Sequence, residues 1–150
     1  MRPLAPPPLQ GLIAAGAIWL TDSLLPEARI AFPGQAWIAL GCGAVGLSLD
    51  LSSILAFFRV RTTVNPLAPE RSSRLVTTGF YRFTRNPMYL GLLLLLTGWT
   101  VWLGNPLGGI WLAAFVGCVT VLQIHHEEAA LRRTFGAEFD AYCRKVRRWL

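Results

Sequence analysis

YLGLLLLLTGWTVWL (residues 89–103), GNPL (104–107) and GGIWLAAFVGCVTVLQI (108–124) form two uncharged apolar runs joined by four turn residues. An apolar run of about 17–25 residues reads as a helix able to cross a bilayer. A linker as short as Gly104-Asn105-Pro106-Leu107 makes the two helices an antiparallel hairpin. The second run is adequate in length and the first is short. Outward from this hairpin, residues 9–25 and 36–58 are also apolar, and 36–58 is comfortably long enough to span. The expected fold is all-α: a polytopic membrane protein with four transmembrane helices.

Composition agrees. The chain has 150 residues, 53% hydrophobic and 15% charged, against about 25% charged in an average soluble domain. That leaves too little polar sequence to cover a soluble globule, and it excludes disorder, collagen and coiled coil. Cys42, Cys118 and Cys143 are odd in number and far apart, which suggests neither a disulfide framework nor a metal site. The net charge of +6 is unevenly placed. Arg2 precedes the first run. Arg59, Arg61, Arg71, Arg74, Arg82 and Arg85 lie between the second and third. Arg132, Arg133, Arg144, Lys145, Arg147 and Arg148 follow the fourth, and only Arg29 falls on the other side. The positive-inside rule then puts both termini and the middle loop in the cytoplasm, in an integral protein of the cell inner membrane. The basic excess is read as topology, not as a nucleic-acid surface. Residues 9–25 are read as a retained helix, because the Pro-rich stretch Pro3-Leu4-Ala5-Pro6-Pro7-Pro8 is an odd start for a cleaved signal.

After the fourth run, Leu131, Phe135, Phe139, Tyr142 and Val146 keep helical spacing among polar residues. This predicts a C-terminal amphipathic helix at the cytoplasmic interface. Gly136 falls inside that pattern at a cost of about 1 kcal/mol relative to Ala, which points to a tight contact. The whole reads as one domain, with residues 1–58 as two N-terminal spans and 59–150 as the part carrying the motifs.

Gly41-Cys42-Gly43-Ala44-Val45-Gly46 matches G-x-G-x-x-G, but it lies inside an apolar helix without the strand that a dinucleotide site needs. Small residues there let helix backbones approach closely. Asp50 is an acid within a span, either salt-bridged to Arg59 or Arg61 or functional. Arg85-Asn86-Pro87-Met88-Tyr89-Leu90-Gly91 opens the third run. Asn86 suits an N-cap and Pro87 the first helical turn. The N–H groups of Met88 and Tyr89 are then free for an anion. The plainer reading is an interfacial anchor of Arg85 and Tyr89. His125 and His126 point apart on a helix and do not make a metal pair, while Glu128 suits an i, i+4 pair with Arg132. Glu127 could face a cationic ligand at the membrane surface.

Taken in order, Leu75-Val76-Thr77-Thr78-Gly79-Phe80-Tyr81, Arg85 to Gly91, Glu127-Glu128-x-x-Leu131, Phe135-Gly136 and Tyr142 resemble the isoprenylcysteine carboxyl methyltransferases and their bacterial relatives, over roughly residues 62–150. The resemblance implies S-adenosyl-L-methionine as methyl donor, held on the cytoplasmic side. It implies a lipophilic acceptor from the bilayer, a prenylcysteine-like carboxyl group or, as an alternative, a lipid amine. A non-catalytic lipid- or partner-binding membrane protein is the reading from a different class. Carried over, the cofactor contacts are Ser73, Arg74, Leu75, Val76, Tyr81, Asn86, Pro87, Met88, Tyr89 and Glu127. Arg85 is the candidate catalytic residue and the candidate for holding the acceptor's polar head. Two positions depart from the enzymes that act on prenylcysteine. Asn86 stands where they usually have His. Gln123 stands at the substrate position where they have an acceptor-binding Arg, and a neutral amide does not replace a bidentate guanidinium. His125 or His126 could serve as base if the acceptor is an amine or hydroxyl.

Overall fold

The computed structural model describes residues 6–60 and 75–150, and its regular elements are helical. They are α1 (Pro7–Leu24), α2 (Gln35–Val60), α3 (Pro87–Leu103), α4 (Gly109–Val119), α5 (His125–Phe135) and α6 (Ala137–Lys145). A single π turn, Thr120–Ile124, joins α4 to α5 without a break. Ser73 and Arg74, with Arg61 and Arg71, lie outside the described residues.

Helix α3 is the centre of the bundle and packs against α1, α2 and α4. Its start is set by Pro87, whose fixed φ suits the first turn. Its end is set by Gly104 at φ 75°, the left-handed conformation that glycine adopts freely. A Cβ on Gly104 would also meet the Ile30 carbonyl at 2.9 Å. Ile30 N–H donates to the Gly104 carbonyl and the Gln35 amide donates to the Val101 carbonyl, each at 2.8 Å. At the same end Arg29 pairs with buried Asp22 through two bonds of 2.7 and 2.6 Å.

The seam between α2 and α3 is made of small residues. Ala39, Gly46, Leu49, Ser53 and Ala56 are buried along α2 with the three-four alternation of a coiled-coil seam. A Cβ on Gly46 would sit 2.7 Å from the Gly91 carbonyl oxygen, and one on Gly98 would sit 2.8 Å from that of Ala39. The expected close approach is therefore present, but of the three glycines in the motif only Gly46 makes it directly. Gly41 and Gly43 have open space where a side chain would go, although the Gly43 main chain lies against Gly98 of α3.

The other faces of α3 are filled differently. Tyr89 and Leu96 join Ala14 and Ile18 of α1, Phe115 and Val119 of α4 and Ile124 in one apolar cluster. Leu90, Leu94, Thr97 and Val101 share a further face that is only half-buried.

Much of the exterior is apolar, and several polar side chains lie inside. Leu12, Trp19, Leu24, Trp37, Leu47, Leu51, Leu55 and Ile110 are exposed, while Asp22, Ser53, Asn105 and Gln123 are buried. Lipid as solvent explains that arrangement, since exposed apolar surface costs nothing there. Two stretches, Gln35–Arg59 and Pro106–Phe135, are long and apolar enough to cross a membrane, and Pro87–Leu103 is apolar but shorter.

The expected single C-terminal amphipathic helix is two helices. Gly136, at φ 50° and ψ −121°, breaks it, in backbone space that side chains strongly disfavour. Across the break Arg132 bonds Asp140 at 2.8 Å and lies 5.7 Å from the centre of the Phe139 ring. Phe139 itself is 1% exposed.

The seam yields a ranking. Gly46→Ala should cost about 1–3 kcal/mol, because a backbone carbonyl must move. Gly43→Ala should be near neutral or slightly stabilising through helix propensity. Thermal unfolding in detergent checks this, and equal effects at the two positions would refute the seam.

Candidate active site

At the end of the bundle where α3 begins, two adjacent glutamates divide the work. Neighbours on a helix point in different directions. Glu128 faces the segment before α3, and Glu127 faces α3 itself.

Glu128 holds two guanidiniums. Arg85 donates from Nη2 to Oε1 at 2.8 Å, and Arg148 donates from Nη2 to Oε2 at 2.7 Å and from Nε to Oε1 at 3.0 Å. The Glu128 and Arg85 side chains are only 12% and 13% exposed, so this is not a solvated surface pair. Arg85 also donates to the Val146 carbonyl at 2.7 Å, and its backbone N–H donates to the Arg147 carbonyl at 2.9 Å. The Arg148 carbonyl accepts from the Thr84 hydroxyl at 3.1 Å and the Asn86 amide at 2.9 Å. The Trp149 indole N–H donates to Thr120 in the π turn at 3.3 Å. Residues 146–150 thereby form a strap across the start of α3.

Glu127 Oε1 accepts from the Tyr89 hydroxyl at 2.5 Å and from the Gln123 amide at 3.0 Å. Gln123 is fully buried in the π turn, an element frequent at functional sites. Below this cluster sits Tyr81, in the turn Gly79–Arg82. Its ring meets Phe57 of α2 edge-on, with centres 5.6 Å apart, and packs with Ala56 and Val76. The Tyr142 hydroxyl donates to the Tyr81 carbonyl at 2.7 Å, which brings α6 under the same turn. Burial pushes the phenols of Tyr81 and Tyr142 up beyond their usual range. For Tyr81, nearby Tyr142 and Glu127 add to the effect, with a smaller push from Asp50. Both phenols therefore stay protonated as donors.

Residues 35–138 match the phospholipid methyltransferase family. The chain belongs to that family. It is 30% identical over 128 residues to a probable protein-S-isoprenylcysteine O-methyltransferase of Oryza sativa, covering 85% of this chain and 66% of the rice protein. It is 31% identical over 121 residues to protein-S-isoprenylcysteine O-methyltransferase B of Arabidopsis thaliana, covering 77% of this chain and 61% of that protein. The chain thus spans somewhat under two thirds of these plant relatives. An uncharacterized Haemophilus influenzae protein is 48% identical over 63 residues, which is its whole length and 42% of this chain. No solved structure matches.

The residues expected from the family resemblance fall into three groups. Tyr89, Glu127 and Gln123 touch one another. Val76 and Tyr81 are buried together beside α2, with Leu75 half-buried next to them. Arg85 and Asn86 face the strap, Pro87 is buried and Met88 half-buried. Two local expectations are corrected, and a third is narrowed. Asn86 does not cap α3 through its side chain, because the amide reaches the Arg148 carbonyl instead. Glu128 pairs with Arg85 and Arg148, and Arg132 pairs with Asp140, because Gly136 folds α6 back beside α5. Asp50 makes no ion pair with Arg59 among the described residues, and Arg61 lies outside them. Sequence reasoning missed Phe57 and Ala56, which carry no motif. It also missed Arg148 and Trp149, whose signal was an aromatic residue within a basic terminus read only as topology.

These pairings separate structural from exposed charges. Glu128→Gln should lower stability by about 1.5–3 kcal/mol, the usual worth of hydrogen bonds to a charged group. Arg132→Ala should cost no more than about 1 kcal/mol, because its ion pair with Asp140 is exposed. Denaturation of the purified variants would show it, and a reversed order would place the supporting ion pair wrongly.

Proposed function

We propose that the chain is a membrane-embedded methyltransferase that uses S-adenosylmethionine and acts on a lipophilic acceptor at the cytoplasmic face. The observation that carries this is the Tyr89–Glu127–Gln123 contact, which joins the start of α3 to the end of the last apolar helix beside buried Tyr81. Family membership supplies the reaction class. The reading includes four spans with both termini cytoplasmic, supported by the placement of Lys and Arg and by the apolar exterior.

The donor set fits such a cofactor. Glu127 can accept from its ammonium or ribose hydroxyls, Tyr81 and Tyr89 can face its cationic sulfur, and Leu75 and Val76 offer apolar contact to adenine. Asn86, Pro87 and Met88 complete the wall at the start of α3, and Ser73 and Arg74 precede it in sequence. When bound, the cofactor supplies a methyl group already activated on a sulfonium. The chain's own residues therefore orient the two reactants and exclude water. Arg85 serves by fixing the strap and Glu128. The acceptor's apolar tail lies along the half-buried face of Leu90, Leu94, Thr97 and Val101.

The plant relatives' names suggest a prenylcysteine carboxyl group as acceptor. A second reading, a lipid amine, is favoured by Gln123 and by the fact that Arg85 and Arg148 both face Glu128 rather than the Tyr89–Glu127 cluster. In the amine case His125 or His126 takes up the proton.

The test is incubation of the purified protein with native lipid extract and S-adenosylmethionine labelled in its methyl group. Label should enter the organic phase. Mild alkali releases it from a methyl ester and leaves it on an amine, which separates the two acceptors. Calorimetry should show Glu127→Gln binding the donor about ten- to a hundred-fold more weakly. No label transfer and no donor binding would reject the reading.

A further inference from the structure

Asp50 is the one acid in the long apolar run of α2. Its Oδ1 atom is buried and has no hydrogen-bond partner among the described residues. An acid inside a span is expensive and calls for a partner. The fold makes room for this one. A Cβ on Gly91 of α3 would run into the Asp50 carboxylate, so glycine at that position lets the acid sit at the helix seam. Gly91 is two residues beyond Tyr89, and Ser53 is three residues beyond Asp50 on α2. Tyr81 lies close enough to feel the charges of both Asp50 and Glu127. The Asp50 carboxylate thus borders the end of the bundle where Tyr81, Tyr89 and Glu127 meet, and no Arg of the described residues pairs with it.

We propose that Asp50 is a ligand-binding residue of this site, whose carboxylate receives the positively charged group of a bound molecule. This rests on the methyltransferase reading. Three cations share that chemistry: the donor's sulfonium, the donor's ammonium and a protonated amine on the acceptor.

The experiment titrates the full chain and Asp50→Asn in detergent with S-adenosylmethionine and with S-adenosylhomocysteine, which keeps the ammonium and lacks the sulfonium. A loss of about tenfold or more for the first ligand only assigns the sulfonium. An equal loss for both assigns the ammonium. Unchanged affinities with a KM for the lipid acceptor raised by a similar factor assign the acceptor amine. Unchanged affinities and an unchanged KM overturn the proposal. If the wild type binds neither ligand, the functional reading fails and takes this proposal with it. Should Asp50→Asn not fold, the wild type still decides. Dicyclohexylcarbodiimide labelling of Asp50, read by mass spectrometry, should fall when a ligand is bound, and labelling indifferent to both ligands and to the lipid extract would refute the role.

Discussion

The ion-pair triad of Glu128 with Arg85 and Arg148 joins three segments that are distant in sequence: the turn before α3, the start of α5 and the strap of residues 146–150. A carboxylate with so little exposure is costly to desolvate, and two guanidiniums with well-formed hydrogen bonds offset that cost. Because Arg85 also bonds the carbonyls of Val146 and Arg147, the triad fixes the strap's main chain as well as its side chains. With the strap in place, the Asn86 amide and the Thr84 hydroxyl are engaged and Tyr142 reaches Tyr81. Glu127 is left to face Tyr89 and Gln123. Of the two adjacent acids, Glu128 serves the structure, and the role proposed for Glu127 is to hold a ligand.

A second constraint acts along the helices. In an apolar surround, helices gain little from burying Leu against Leu, and packing depends on close backbone approach. The α2–α3 seam shows this, with Gly46, Gly91 and Gly98 each lying under 3 Å from a carbonyl oxygen if a Cβ is added. The same closeness positions the start of α3, and so positions Tyr89 opposite Glu127. The seam and the triad are two anchors on one helix, at its length and at its N-terminal end.

How much of this was legible in the sequence depends on the range of the interaction. The apolar runs, the hairpin turn at Gly104-Asn105-Pro106-Leu107 and the division between helical and basic segments are local, and they were readable. The site residues Tyr89, Gln123 and Glu127 could be named from the family resemblance, although their mutual contact could not. What stayed hidden was helix phase and long-range pairing. Gly43 and Gly46 are indistinguishable in composition, and only the seam's register separates them. Glu128 has a plausible partner four residues away in Arg132, yet its actual partners lie 43 and 20 residues distant. The strap was unreadable because its acceptors are backbone carbonyls, which carry no residue signature.

Glu128 holds the strap against α3. Hydrogen exchange tests it most directly, read at the Arg85 amide and across residues 146–150 in wild type and Glu128→Gln. The account predicts faster exchange at those amides in the variant, with the amides of the α2–α3 seam still protected. Unchanged protection at Arg85 and in the strap, in a variant that has lost the carboxylate charge, would contradict it.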